Sequence, residues 1–125
     1  MSIRDTLGTA METALGDGWQ VYTWPPKTIA PPALVIMPAD PYAAPIHASG
    51  ALGAAWAVDV DIVVRYNDSD EGLAELERTR ETVAAGLPAG WRWVEFGEIG
   101  EIVIAKKAYL KGTLGVAVAI SEGMT

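Results

Sequence analysis

The chain contains no cysteine, and His47 is its single histidine in 125 residues. Without cysteine, disulfide bonds, thiolate metal sites and cysteine catalysis are excluded. No apolar run approaches the roughly 20 residues that a membrane-spanning helix needs. The opening residues, MSIRDTLGTAMETALG, are too polar and amphipathic for a signal peptide. We therefore expect a soluble protein that is made in a cytoplasm and has no membrane partner.

Positive charge is also scarce, since nine Lys and Arg face sixteen Asp and Glu and the net charge is -7. A sequence-reading nucleic-acid binder usually carries a basic patch, so this balance argues against that class. Half of the residues are apolar and five are tryptophans. This is more apolar surface than so small a core readily absorbs, which predicts contacts with other chains. A large core is the alternative explanation.

Two segments have the apolar spacing of helices. Ser2 to Leu15 begins with an N-cap serine and ends before Gly16. A second helix follows the polar stretch NDSDEG and runs to about Ala85, where Gly86 and Pro88 end it. Its outward face is acidic and includes Glu75, Glu77 and Glu81.

Six segments have strand composition, and they are residues 19–24, 33–37, 56–66, 91–96, 101–110 and 113–121. Lys111-Gly112 predicts a tight turn between the last two. Residues 39–55 have neither periodicity nor charge beyond Asp40, which predicts a long loop after a strand that ends at Pro38. The order α-β-β-β-α-β-β-β predicts one α+β domain, residues 1–125, with two helices on one mainly antiparallel sheet.

The segment WAVDVDIVVRY, residues 56–66, alternates strictly, so Asp59 and Asp61 share the face away from the core. Their carboxylates would lie roughly 7 Å apart. A small metal-assisted hydrolase or ligand-binding domain could use this pair with His47. Such sites usually need a third fixed ligand or a glycine-rich phosphate loop, and no such motif occurs. We therefore predict no catalytic residue, metal or cofactor, and a pair of carboxylates facing solvent or a lumen.

Several side chains are candidates for contacts between copies of the chain. Lys106, Lys107 and Lys111 form a basic cluster. They would either protect a strand from unwanted pairing or contact the acidic helix of another copy. The remaining interface candidates are Trp24, beside Pro25-Pro26, and Tyr42 and His47 in the predicted loop.

The element order also resembles a known family. A leading helix precedes VYTWPP and APPALVIMP, then DPY, the WAVDVDIVV strand, an acidic helix and a β-rich last third. This layout, over most of the chain, resembles the tail-terminator (tail-completion) proteins of long-tailed phages (siphophages), particularly those of actinobacterial hosts. The resemblance implies a non-enzymatic virion protein that forms a homohexameric ring and stops polymerisation of the tail tube.

The same resemblance implies partners and a location. These are the tail tube protein and a head-side connector or stopper protein, at the head-proximal end of a tail assembled in the host cytoplasm. DNA would only pass through the ring, and we infer that Asp59 and Asp61 line the lumen, where carboxylates repel phosphates. Another head-tail or tail-tube component is the alternative within this class.

Overall fold

The computed structural model of the chain describes residues 2–48, 51–65 and 69–121. These residues form two helices and a five-stranded sheet. In chain order the elements are α1 (Ile3–Leu15), β1 (Gln20–Tyr22), β2 (Ala33–Ala48), β3 (Ala51–Arg65), α2 (Ser69–Ala85), β4 (Trp91–Ile104) and β5 (Lys107–Ser121). The predicted α+β class is confirmed. Neither helix in the described residues is long and apolar enough to cross a membrane.

Helix α1 forms where its capping residues and apolar stripe predict it. The Ser2 side chain accepts a hydrogen bond from the Asp5 backbone N–H at 3.0 Å, which satisfies a free donor of the first turn. Gly16 ends the helix with φ of 73°, and its N–H donates to the Glu12 carbonyl. Leu7 and Met11 are fully buried, so the stripe predicted from sequence is the face that packs on the core.

The sheet has the strand order β1-β2-β3-β5-β4 and is antiparallel except for the β1–β2 pair. Alternate residues of its three central strands face the helices and make the core. These buried side chains include Leu34, Ile36, Val58, Val60, Ile62, Val64, Leu110, Leu114 and Val116, together with Leu76 and Val83 of α2. One face of the sheet is therefore covered by helices, and the side chains of the opposite face alternate with this core set.

The long loop predicted at residues 39–55 is wrong. Strand β2 continues through Pro38 to Ala48, and β3 begins at Ala51 and pairs with it. The prolines do not end β2, because most of its outer edge is unpaired. Strand β1 is short and pairs only with residues 33–35 of β2. Beyond Val35 no strand among the described residues pairs with the outer side of β2. Prolines are tolerated on such an edge because their missing N–H leaves no ladder hydrogen bond unmade.

The turn predicted at Lys111-Gly112 is also wrong, and with it the third strand predicted after α2. Both residues lie inside β5, and the chain reverses instead at Ala105-Lys106. Ala105 and Lys106 have φ of 51° and 67°, the positive values that a tight two-residue hairpin requires. Gly112 serves close packing, because a Cβ there would lie 2.8 Å from the ring of Phe96.

Candidate functional site: the acidic face of the sheet

Asp59 and Asp61 lie on the sheet face opposite the helices, as their alternation with the buried residues of β3 predicts. Asp59 is paired with Met37 and Gly115, and Asp61 with Val35 and Thr113. The small face of β5, Gly115, Ala117 and Ala119, lies on this same side of the sheet. Both helices pack on the opposite face, so neither covers these small residues.

Asp61 is held by two neighbours on β5. The Thr113 hydroxyl donates to Asp61 Oδ1 at 2.7 Å. Lys111 Nζ lies 3.9 Å from Asp61 Oδ2. Part of the Asp61 charge is therefore balanced within the chain, and Lys111 is drawn away from the basic cluster that the sequence predicts with Lys106 and Lys107.

Asp59 lies in an open cleft of about 540 Å³ on this face. The floor consists of small residues of the central strands, among them Ala44, Ala57 and Gly115. Four carboxylates from three strands surround it, and we call this surface the acidic cleft: Asp40, Asp59, Glu95 and Glu98.

The electrostatics of the acidic cleft are those of crowded like charges. Partial burial raises the pKa of the Asp59 carboxyl, and the neighbouring carboxylates of Asp61, Glu98 and Glu95 raise it further. All of these effects act in the same direction. The carboxylates of the acidic cleft therefore repel one another, and a bound cation would reduce this repulsion.

Glu95 and Glu98 were not predicted as site residues, because strand alternation misplaces them. In a regular strand, alternation would place Glu95 on the same face as Trp91 and Trp93. A register shift between Trp93 and Glu95 moves it to the other face, opposite Gly115. A second shift between Gly97 and Gly100 contains Glu98, whose φ is 53°. The sequence pattern of β4 does not predict either register shift.

The structure does not bring His47 to the aspartates. His47 lies in β2 opposite Leu52, seven positions along β3 from Asp59, or about 23 Å at strand spacing. Its side chain lies outside the described part of the chain. Among the residues that are described, no group of three or more His, Cys, Asp or Glu side chains could hold a metal ion.

The two aromatic interface candidates differ in environment. Trp24 is 64% exposed, and the Arg4 guanidinium lies 5.3 Å from its ring centroid. Arg4 also donates to the Thr23 carbonyl, which fixes it beside the tryptophan. Tyr42 instead packs edge-on against Trp56 at 5.0 Å, within the chain. Trp24 is thus the aromatic that is displayed, whereas Tyr42 contributes to internal packing.

The charged interface candidates occupy separate places. Lys106 and Lys107 are exposed at the turn between β4 and β5, at one end of the sheet. On α2, Glu77 and Glu81 are exposed and Glu75 is half-buried. Glu81 Oε1 lies 3.8 Å from Arg80, whose guanidinium lies 5.1 Å from the Trp93 ring centroid.

No family model and no curated protein sequence matches this chain. Among solved structures, the fold is similar to that of a chain in the virion of a native gene transfer agent particle. The TM-score is 0.58 and the sequence identity 14%, and the match covers 96% of this chain and 95% of that one. At this identity the likeness shows a shared fold over nearly the whole length of both chains.

Proposed function

We propose that this chain is a structural virion protein of the tail-terminator type. The observation that carries the proposal is the fold likeness to a virion chain, which spans both chains almost completely. The element order that resembles phage tail terminators supports the same class. In this role the chain performs no catalysis and needs no cofactor.

The functional form is a homohexameric ring at the head-proximal end of the tail, assembled in the host cytoplasm. One side of the ring contacts the tail tube protein, and the other contacts a head-side connector or stopper protein. The acidic face, with Asp59 and Asp61, lies near the channel through which DNA passes. Carboxylates there would repel the phosphate backbone and keep passage free of adhesion.

Contacts between subunits join unlike surfaces. The candidate residues are Trp24, Tyr42, His47, Lys106, Lys107, Lys111, Glu75, Glu77 and Glu81. Unlike patches that meet head to tail generate a ring when the rotation closes. The exposed lysines at the β4–β5 turn and the exposed Trp24 support this arrangement, since both are displayed away from the core.

The test is to mix the purified protein with tail tubes assembled from the tail tube protein of the same particle, and to image the tube ends. We expect a ring on one tip with wild type and fewer capped tips with Lys106→Glu/Lys107→Glu. The charge-conserving variant Lys106→Arg/Lys107→Arg should cap normally. Incorporation along the tube would indicate a tail-tube component instead. A protein that neither caps tubes nor self-associates would remove the support for this function.

A further inference from the structure

The turn between β4 and β5 presents two adjacent cations at the end of a narrow hairpin. We call Ala105, Lys106 and Lys107 the basic tip. All three residues are exposed. Because Ala105 and Lys106 both have positive φ, the chain reverses within two residues and the hairpin end is slim. The basic tip therefore has the shape and charge to enter a shallow acidic depression.

The acidic cleft is such a depression. Its floor of small residues admits close approach, and the Glu95 side chain lies directly over Gly115, where an added Cβ would be 3.3 Å from Glu95 Cγ. The lysine on this face, Lys111, contacts Asp61 and not Asp59. Asp59 keeps a raised pKa through desolvation and its carboxylate neighbours, so its charge is not balanced within the chain.

The basic tip cannot reach the acidic cleft of its own chain. Lys107 and Gly115 lie on the same strand, eight residues apart, which is about 26 Å at strand spacing. The two surfaces are also fixed in place by the ladders that join β5 to β3 and β4. A contact between them therefore requires two copies of the chain.

We propose that the basic tip of one copy docks in the acidic cleft of the next, through ion pairs of Lys106 and Lys107 with the cleft carboxylates. This rests on the self-association in the proposed function, and it replaces the acidic α2 helix as the surface that receives the lysines. The contact joins unlike surfaces of identical chains, so it propagates head to tail. Four carboxylates meet two lysines, which leaves this face negatively charged and still repulsive to DNA.

The test is an exchange of charges between the two surfaces. One variant reverses the tip, Lys106→Glu/Lys107→Glu. A second, Glu95→Lys/Glu98→Lys, replaces two of the four cleft carboxylates by lysines and so brings the formal charge of the cleft from -4 to 0. A matched control, Glu12→Lys/Asp17→Lys, makes the same charge change on exposed residues that belong to neither surface. A further variant, Glu77→Lys/Glu81→Lys, tests α2 as the alternative acceptor of the lysines. Self-association is measured by sedimentation velocity, and capping by imaging of tail tubes. Circular dichroism verifies that each variant folds.

We expect each variant to weaken association at least about tenfold, because the tip variant sets like charges against each other and the cleft variant removes the net attraction for the lysines. An equimolar mixture of the two variants should recover it, since the glutamate tip then meets the two introduced lysines and the lysine tip meets an unaltered cleft. A chain carrying both pairs of substitutions should recover it as well. The matched control at Glu12 and Asp17 should associate like wild type.

The contact is overturned if wild type associates but the tip variant or the cleft variant leaves association unchanged, or if the mixture fails to recover it. It is overturned equally if the α2 variant loses association and mixing it with the tip variant restores association, because α2 would then be the acceptor. A wild-type protein with no self-association, free or on tubes, also refutes it. Recovery in the mixture without capping of tubes would confirm the contact and refute the tail-terminator function.

Discussion

At the scale of single residues, Asp59 and Asp61 show how two neighbours on one strand face can have opposite energetic roles. Asp61 gains a hydroxyl donor and a lysine. Asp59 is partly desolvated among carboxylates, and its pKa is raised. A raised pKa of an acid means that the folded chain holds the proton more strongly than the unfolded chain. Ionised Asp59 therefore lowers the stability of the isolated chain, whereas Asp61 contributes to it.

Asp59→Asn should accordingly raise the melting temperature of the isolated protein at pH 7. The gain should persist above the raised pKa of Asp59 and shrink as the pH falls towards the ordinary value of 3.8. Below 3.8 the wild-type carboxyl is mostly protonated in both states, so the substitution then removes little charge. Thermal unfolding from pH 3 to pH 8 measures this difference.

The contrasting variant is Asp61→Ala. It removes an acceptor of the Thr113 hydroxyl and the Lys111 ion pair, and should cost about 1–3 kcal/mol at pH 7. If Asp59→Asn destabilises the fold as Asp61→Ala does, the crowding of like charges is not the dominant effect at position 59.

How far the site could be predicted depends on strand regularity. The positions of Asp59 and Asp61 follow from alternation, because β3 is regular along its pairing with β5. Glu95 and Glu98 lie on β4, an edge strand with two register shifts. A shift of one residue exchanges the faces of every side chain that follows, so local pattern gives the wrong face there. The faces of Glu95 and Glu98 are set by the pairing of β4 with β5, and the local sequence pattern does not contain this long-range information.

At the scale of elements, glycines at close approaches are the residues that position the helices. Gly86 follows α2 and has no room for a side chain. A Cβ there would lie 2.5 Å from the Ala14 Cβ of α1 and 3.6 Å from Met11. Gly86, which the sequence predicts as the end of α2, thus also sets how closely the two helices pack.

Gly86→Ala should destabilise the protein by about 1–3 kcal/mol, the usual cost of overpacking a tight contact. The clash is with a Cβ atom, so relief requires a backbone shift of a helix. Urea denaturation measures the loss. Ala14→Gly in the same chain should recover part of it, which a double-mutant cycle detects as coupling.

Gly97→Ala is the matched control, because a Cβ there meets nothing within 4 Å and the backbone is not in the left-handed region. It should be neutral or stabilising by up to about 1 kcal/mol. Equal losses at positions 86 and 97 would argue against the helix contact as the cause.

The elements that sequence predicted correctly are those whose signals are local. The Ser2 cap, the α1 stripe and Gly16 all act within one helix, and α1 has the predicted bounds to within one residue. The long β2 strand lacks such a signal, because alanines and prolines carry little alternation. These residues have little intrinsic preference for a strand, and their pairing with β3 stabilises the strand instead.

The paired backbone of residues 43–48 and 51–56 predicts slow amide exchange in the isolated chain. In an antiparallel ladder, alternate N–H groups are hydrogen-bonded across the pair. These amides should exchange at least about tenfold more slowly than in an unstructured peptide. Hydrogen exchange measured residue by residue provides the test, with the amides of Lys27 and Thr28 in the exposed part of the connector as the reference. Uniformly fast exchange in both segments would favour the loop that the sequence predicts.

At the scale of the whole molecule, the residues that stabilise the fold are separate from the exposed surfaces proposed for assembly. The core lies between the helices and one sheet face, while the acidic cleft, the basic tip and Trp24 lie outside it. Single exposed charges contribute little to stability, so substitutions at these surfaces should leave the fold intact. Assembly can therefore be tested independently of folding.

Trp24→Ala should change assembly far more than stability. Trp24 is 64% exposed, and its contact with Arg4 is a surface cation–π pair worth about 0.5–1 kcal/mol. Buried tryptophans at subunit contacts commonly contribute about 2 kcal/mol or more. We therefore expect a loss of stability below about 1 kcal/mol, measured by urea denaturation. Capping of tail tubes should require at least about tenfold more protein.

Trp93→Ala is the matched comparison, because Trp93 is 47% exposed and has the same kind of contact, with Arg80 at 5.1 Å. Trp93 is not among the predicted subunit contacts, so this variant should lose a similar amount of stability and cap tubes like wild type. Equal capping by Trp24→Ala and wild type would place Trp24 outside the subunit boundary. Equal losses of capping in both variants would mean that general destabilisation, and not a contact at Trp24, controls assembly.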